Sequence, residues 1–581
     1  MSIDIETYRL KAQEAIEYVF VKEYHNSLGI PMPIVKILLP DDANYSTGQY
    51  YITIDKTWQI HLNFGKLPIS YHEFQNEVKV LTRHEIEHYM CCPFDVITHF
   101  RMLKRIKDVY YKHFSHLGIN IKYACGAISN QAADIIVDTK NYYRHSKETL
   151  KSEIDWIKIG ANISACPRHC KLMFLTKEAI WKEDLGINET DPEFLKIVHQ
   201  LADSFTKNGI EDKSSFLDKV EEYAEIFFKL YVEDQKNPQQ SGQQGSQQQS
   251  GQQGPQQQSG QQGSQQQSGQ QGSQQQSGQW GVGRPKDGDE HGNAFVFADP
   301  DKVKEAIEVL AEETSVEEFI DLLAIAGIIG MSDKQKGVLW FNVQSANIIP
   351  IVEFSNTGNK SSYTYPSVWR IGDPIEELDL MLTYMTSPRL IPGMTTKKWE
   401  YVSNDDNGTE SKQMDLLLVV DTSGSMGSAM KESANMHQAV LASYGILSYF
   451  ESTKSKVAFI GFSDKIDAYV DWSDKYDDVR ERLLTNGHGG TKFPISRIKS
   501  TLDVRSRDLV TVLITDGDLG NINESVSYFR DYLNDDNKLY IFLLVGSKSL
   551  HSYEPLKNIG AKIYNANNAN EFCDMVLTDM E

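Results

Sequence analysis

The residues His84-Glu85-Ile86-Glu87-His88 place two imidazoles and two carboxylates in one short run. On a helix, residues four apart share a face, so His84 and His88 can both turn toward one divalent ion while Glu85 points to the same open side. Two imidazoles suit zinc, which would polarise a carbonyl and acidify water, with Glu85 taking the proton as general base. A catalytic zinc usually takes three protein ligands. In the longer HExxHxxGxxH pattern the third histidine would fall at Phe94, so the third ligand must come from further on. Within Asn130-Gln131-Ala132-Ala133-Asp134-Ile135-Ile136-Val137-Asp138, three polar residues, Asn130, Asp134 and Asp138, share a helical face. Asp134 is the favoured ligand and Asp138 the alternative. The same spacing also suits the wet face of a helix whose Ile135 and Ile136 are core. A second zinc at Cys166 and Cys170 with Cys91 or Cys92 competes with a simpler reading, that of buried thiols beside a tight turn.

A second constellation lies far downstream: Asp421, Ser423 and Ser425, then Thr491 after Gly489-Gly490, then Asp516. Hydroxyls and carboxylates are hard oxygen donors and suit Mg²⁺. The first and last groups sit where a strand pattern gives way to a loop, Thr491 lies in a loop between them, and in parallel α/β sheets ligands bind at the carboxyl ends of strands.

The elements that must position these groups are legible in part. Apolar spacing predicts a helix over residues 3–25, strands at Tyr50–Ile54 and Trp58–Phe64 joined by Asp55-Lys56-Thr57, and a helix from about Glu73 to Met90 that stops before Pro93. An edge of that small sheet could hold an extended peptide by backbone pairing. Another helix is expected through His99 to His113, and amphipathic helical pattern runs from Phe174 to about Tyr231. Residues 238–279 are almost wholly Gln, Ser and Gly, which cannot build a core; as a flexible coil they would span on the order of 35 Å. Asp299-Pro300 and Ser315-Val316-Glu317-Glu318 are helix starts, and a helix is expected over Leu378–Tyr384. From residue 414 strands and helices alternate: Asp415–Asp421, Lys431–Glu451, Lys456–Phe462, Leu509–Asp516, Leu539–Val545, then a helix near Ala569–Leu577. That alternation predicts a doubly wound parallel sheet covered on both faces.

At 581 residues the chain is too long for one core. It carries 58 Lys plus Arg against 80 Asp plus Glu, a net charge of -22, which argues against a nucleic-acid or anionic-membrane partner. No apolar run approaches the roughly 20 residues of a membrane span, and the first residues lack a basic, apolar leader, so a cytoplasmic location is expected. The six cysteines are sparse and read as reduced thiols. Without a GxxxxGK[ST] loop, any ATPase must be a separate chain.

Taken with their order, the motifs resemble known ones. Asp421, Ser423, Ser425, Thr491 and Asp516 are similar to the metal-ion-dependent adhesion site of von Willebrand factor A-like domains. The HExxH run followed by Asn130, Ala132 and Asp134, with that C-terminal domain, resembles the zinc metallopeptidase-like family associated with MoxR-type AAA+ ATPases. The resemblance implies an α+β zincin-like domain over 1–237 and an α/β A-like domain over 411–581; composition and pattern place a disordered linker over 238–294, where the chain departs from the family, and a helical or mixed connecting region over 295–410. It implies Zn²⁺ at His84, His88 and Asp134 with Glu85 as base. It also implies Mg²⁺ at the second site, open to an acidic side chain of a protein partner or substrate. The alternative from another class is a non-proteolytic adaptor or co-chaperone of such an ATPase, its HExxH domain structural or inactive.

Overall fold

The computed structural model describes residues 4–42, 44–47, 50–54, 58–66, 70–159, 163–236, 300–326, 328, 331–348, 364–369, 378–379, 383, 396–401, 414–505, 508–517, 519, 521–535, 537–544 and 550–566. The Gln/Ser/Gly stretch, the turn Asp55-Lys56-Thr57, Asp518, most of the helix expected over Leu378–Tyr384 and the one near Ala569–Leu577 lie outside them. The chain divides into two compact units, Met1–Ala298 with Ile325–Gly327, and Asp299–Ala324 with Ile328–Glu581. Among the described residues no helix is long and apolar enough to cross a membrane.

In the first unit, α1 (Ile5–Glu17) begins at Asp4, whose carboxylate accepts from Thr7 N, and runs on into a wider turn over Tyr18–Glu23. Three strands follow: β1 (Ile34–Ile37), β2 (Tyr50–Ile54) and β3 (Gln59–Phe64). β3 is central, parallel to β1 and antiparallel to β2. β1 was not anticipated from the sequence. The motif helix α2 (Tyr71–Met90) starts where Ser70 Oγ accepts from Glu73 N at 3.4 Å and donates to the Glu73 carboxylate at 2.7 Å. This satisfies an otherwise orphaned helix N–H. Behind it Tyr8, Ile16, Phe20, Trp58, Ile60, Leu62, Phe64, Phe74, Val78 and Ile86 form one core. Each such side chain contributes about 1.5–3 kcal/mol on burial, which fixes α2 against the sheet.

α3 (Val96–Val109) continues through a π turn over Tyr110–Phe114, so the helix expected through His113 is realised in two geometries. α4 (Ile121–Ile159) is far longer than the stretch the sequence singled out, and bends at His145, whose φ −135° and ψ 48° are not helical. It packs on α2, α3, and the helices α5 (Arg168–Trp181) and α7 (Phe216–Lys236), while α6 (Pro192–Thr206) lies against α5. α4 is thus the spine that brings a second polar face to the motif helix.

The second unit opens with α8 (Pro300–Glu313), α9 (Val316–Ile325) and α10 (Asp333–Ile348), followed by an antiparallel pair, β4 (Thr364–Val368) and β5 (Lys397–Tyr401). Its main sheet has six strands: β6 (Asp415–Asp421), β7 (Val457–Phe462), β8 (Ile466–Ser473), β9 (Leu509–Thr515), β10 (Lys538–Leu544) and β11 (Lys562–Ala566). Their order is β11-β10-β9-β6-β7-β8, every pair parallel except β7 with β8. β6, β7 and β9 are buried along nearly their whole length, as parallel strands with helices on both faces must be. Leu417, Val419, Ile460, Phe462 and Leu513 join Ile498, Leu502 and Phe529 in one cluster, while the alternate residues Leu416, Leu418 and Val420 are equally buried. α11 (Asn435–Ser452) packs on β6, and α10 packs on α11. The helices at 300–348, to which the sequence assigned no role, therefore belong to the compact unit of the six-stranded sheet, with α10 packed on α11.

Candidate metal centres

On α2, His84 and His88 lie one turn apart with their Nε2 atoms 3.1 Å from each other. α4 brings Asp134 to the same point: its Oδ1 is 3.1 Å from His88 Nε2 and 3.5 Å from His84 Nε2. Among the described residues these three form the one cluster of His, Cys, Asp or Glu donors close enough to share an ion. A tetrahedral ion with ligands at about 2.0–2.1 Å holds them about 3.3 Å apart, so the donor spacing fits zinc, and two imidazoles with a carboxylate are a chemical match for it. Asp134 Oδ1 is a buried oxygen turned to the two Nε2 atoms, the arrangement a shared cation would use.

The far sides of both rings are held. His84 Nδ1 is 2.7 Å from Asp138 Oδ1 and His88 Nδ1 is 2.9 Å from the carbonyl of Cys92. With the Nδ1–H of each ring donating, the Nε2 lone pairs face each other and Asp134. Asp138 is therefore placed behind His84, and Asp134 at the donor cluster. Asn130, the first member of that face, donates to Asp134 Oδ2 at 3.2 Å. Burial works against charge at both Asp134 and His88. Their contact outweighs it, holding the carboxyl below its ordinary value and lifting the imidazole above its own.

Glu85 is 6% exposed, and its charge is close enough to favour the charged form of His88. Glu87, fully buried, is turned the other way, accepting from Tyr24 Oη at 2.9 Å and pairing with Lys140 at 2.8 Å and Arg144 at 3.0 Å. Arg83 reaches Glu23 and Glu148. These pairs fix the helix's rotation, so His84 and His88 face α4. The cysteine site is not formed: among the described residues Cys91, Cys92, Cys166 and Cys170 are in no disulfide and do not gather into a metal cluster.

In the second unit the three sequence segments meet at the carboxyl ends of β6 and β9. Asp421, fully buried, accepts from Ser423 N at 2.8 Å and from Thr515 Oγ1 at 2.7 Å. Ser423 Oγ is 3.2 Å from Ser425 Oγ, which donates to Asp516 Oδ1 at 3.1 Å. Asn435 Nδ2 donates to the other oxygen of Asp516 at 3.0 Å. The loop carrying Thr491 is drawn in by its backbone, where Gly424 N donates to Gly489 O at 3.2 Å. Gly489 has φ +107°, open only to glycine without strain, and a Cβ on Gly487 would come within 2.5 Å of the Thr422 carbonyl. Burial raises the pKa of Asp421, with the Asp516 charge adding to it and the Thr515 and Ser423 bonds opposing. Clustered oxygens about 3 Å apart fit the octahedral shell of Mg²⁺. Thr515 and Asn435 were not singled out from sequence; Thr515 could have been, since it directly precedes Asp516 at the strand end.

The chain matches no protein-family model and no curated protein sequence. Among solved structures it is similar to the conserved hypothetical protein BatB from Bacteroides thetaiotaomicron, at 12% identity, covering 29% of this chain and 98% of that one with a TM-score of 0.24.

Proposed function

We propose that the protein is a zinc-dependent peptidase whose second unit recruits a protein partner or substrate through a Mg²⁺-dependent site. The convergence of His84 Nε2, His88 Nε2 and Asp134 Oδ1, with Glu85 on the same helix, carries the reading. Bound zinc would supply a Lewis acid for a peptide carbonyl and for the attacking water. Glu85 would accept that water's proton at its carboxylate and return it to the departing amine nitrogen. Asp138 and the Cys92 carbonyl would keep both rings in the ligating tautomer. In the second unit, Ser423, Ser425 and Thr491 would face Mg²⁺ and Asp421 and Asp516 would neutralise it, leaving a position for a partner's carboxylate. A MoxR-type AAA+ ATPase is the partner class the motif combination suggests.

The burial of the donors supports a second reading. His84 is 4% and His88 8% exposed, so a substrate carbonyl has little direct access. An adaptor or co-chaperone with a structural zinc would need none. One experiment separates the two: metal analysis and cleavage of captured partners by wild type and Glu85→Gln. The peptidase reading expects equal zinc in both and cleavage only in wild type. Zinc without cleavage in either establishes the adaptor, and cleavage unchanged in Glu85→Gln removes the mechanism.

A further inference from the structure

We propose that Lys177 is a positioning residue for the zinc centre, acting through Asp138 on His84. The proposal rests on the zinc reading above and adds to it a residue on a third helix. Lys177 lies on α5 and is 1% exposed. Its ammonium is 3.1 Å from Asp138 Oδ2 and bonds the Glu153 carboxylate as well. The rings of Phe174 and Trp181 flank it at 5.2 and 5.8 Å from their centroids. Asp138 thus uses one oxygen for Lys177 and the other for His84, so that a chain of contacts runs from α5 through α4 to α2.

The chemistry of burial gives this chain a purpose. Taking an ammonium out of water is costly, and a buried cation persists only where anions are arranged around it. A methionine would fill the same space without that cost. What a methionine cannot do is fix a carboxylate. Asp138 must point one lone pair at His84 Nδ1 for Nε2 to remain the free donor, and an aspartate side chain can rotate about its last torsion. The Lys177 ammonium, pinned by Glu153 and by two aromatic faces, removes that rotation. Without it, Asp138 loses the contact that holds its Oδ2, and its carboxylate is no longer fixed toward His84. Partners behind a metal-bound histidine commonly carry 10–100-fold in metal affinity. Lys177 stands one step further out, yet it bonds Asp138 directly, on the oxygen that does not face His84.

The test uses the full chain and zinc itself, with affinity read by competition against a chromophoric chelator and the geometry of the centre by the absorption of the cobalt-substituted protein. Lys177→Met is expected to weaken zinc by about 10–100-fold and alter the cobalt spectrum, and Lys177→Arg to recover most of both. Lys177→Met combined with Glu153→Gln relieves the charge imbalance without restoring the Asp138 contact, and is expected to stay weak. Recovery in that double variant would show that Lys177 serves only to neutralise Glu153, and would overturn the proposal, as would wild-type affinity in Lys177→Met. Should Lys177→Met not fold, Glu153→Gln carries the test: Lys177 keeps Asp138, so zinc affinity holds, and a tenfold loss would overturn the assignment. His84→Ala tests the underlying reading separately. If it binds zinc as wild type does, the centre itself is misplaced, whatever Lys177 does.

Discussion

At the scale of single residues, α2 is loaded with buried charge beyond its two histidines. Glu77, two turns before His84, accepts from Tyr50 Oη at 3.1 Å. Burial pushes its carboxyl up to about 7, with the Asp155 and Glu73 charges adding and the Tyr50 bond and Lys151 opposing. A folded-state value above the ordinary 4.5 means that the native protein holds this proton where the unfolded chain has lost it. Stability from this group is therefore full below pH 4.5 and is lost as pH rises to about 7. Glu77→Gln removes that loss. Its thermal unfolding should track wild type near pH 4 and exceed it at pH 8 by on the order of 2 kcal/mol; coincident curves at pH 8 would refute the assignment. Glu87 predicts the opposite sign. Glu87→Ala leaves Lys140, 8% exposed, without its close buried partner, and should cost about 3–5 kcal/mol in denaturant unfolding at pH 7.

At the scale of elements, what the sequence disclosed depended on how strongly one period dominated. α2, β6, β7, β9 and β10 have long, unmixed patterns and appear within a few residues of expectation. β1 is four residues long beside Pro31 and Pro33, too short to show alternation. β8 mixes Asp467, Asp471 and Ser473 among its apolar residues because it is a half-exposed edge strand. The donor face of α4 was legible from spacing, and Asp134 was the favoured ligand on it, but the place of Asp138 behind His84 was not legible. Which carboxylate meets Nε2 and which meets Nδ1 depends on how α2 and α4 cross, and no local pattern encodes that. Lys177 gave no signal at all, since a lone lysine in an amphipathic helix reads as solvated. α10 was legible as a helix and illegible as packing. Its Phe341 is fully buried, 5.2 Å from the His437 ring and 5.5 Å from that of Tyr444. Phe341→Ala should therefore cost the second unit about 3–5 kcal/mol, read as a lowered unfolding midpoint. An unchanged midpoint would mean that α10 is dispensable to that core.

At the scale of the whole molecule, the two candidate centres draw their residues from different compact units: His84, Glu85, His88 and Asp134 from the first, Asp421, Ser423, Ser425, Thr491 and Asp516 from the second. The sequence between them at 238–279 has no apolar side chains beyond two prolines with which to couple the units through a shared core. Linkage then makes a definite prediction. A metal that binds only the folded form of one unit adds RT ln(1 + [L]/Kd) to that unit alone, about 2.7 kcal/mol at a hundredfold excess over Kd. In calorimetry of the full chain, zinc should raise the transition that Glu87→Ala lowers and leave the one lowered by Phe341→Ala. Mg²⁺ should do the reverse, and Asp421→Ala should abolish its effect while sparing that of zinc. A single transition answering to both metals would show instead that the units unfold together. Partner capture at the Asp421 site could then alter the zinc centre through stability itself, with no contact between the two sites required.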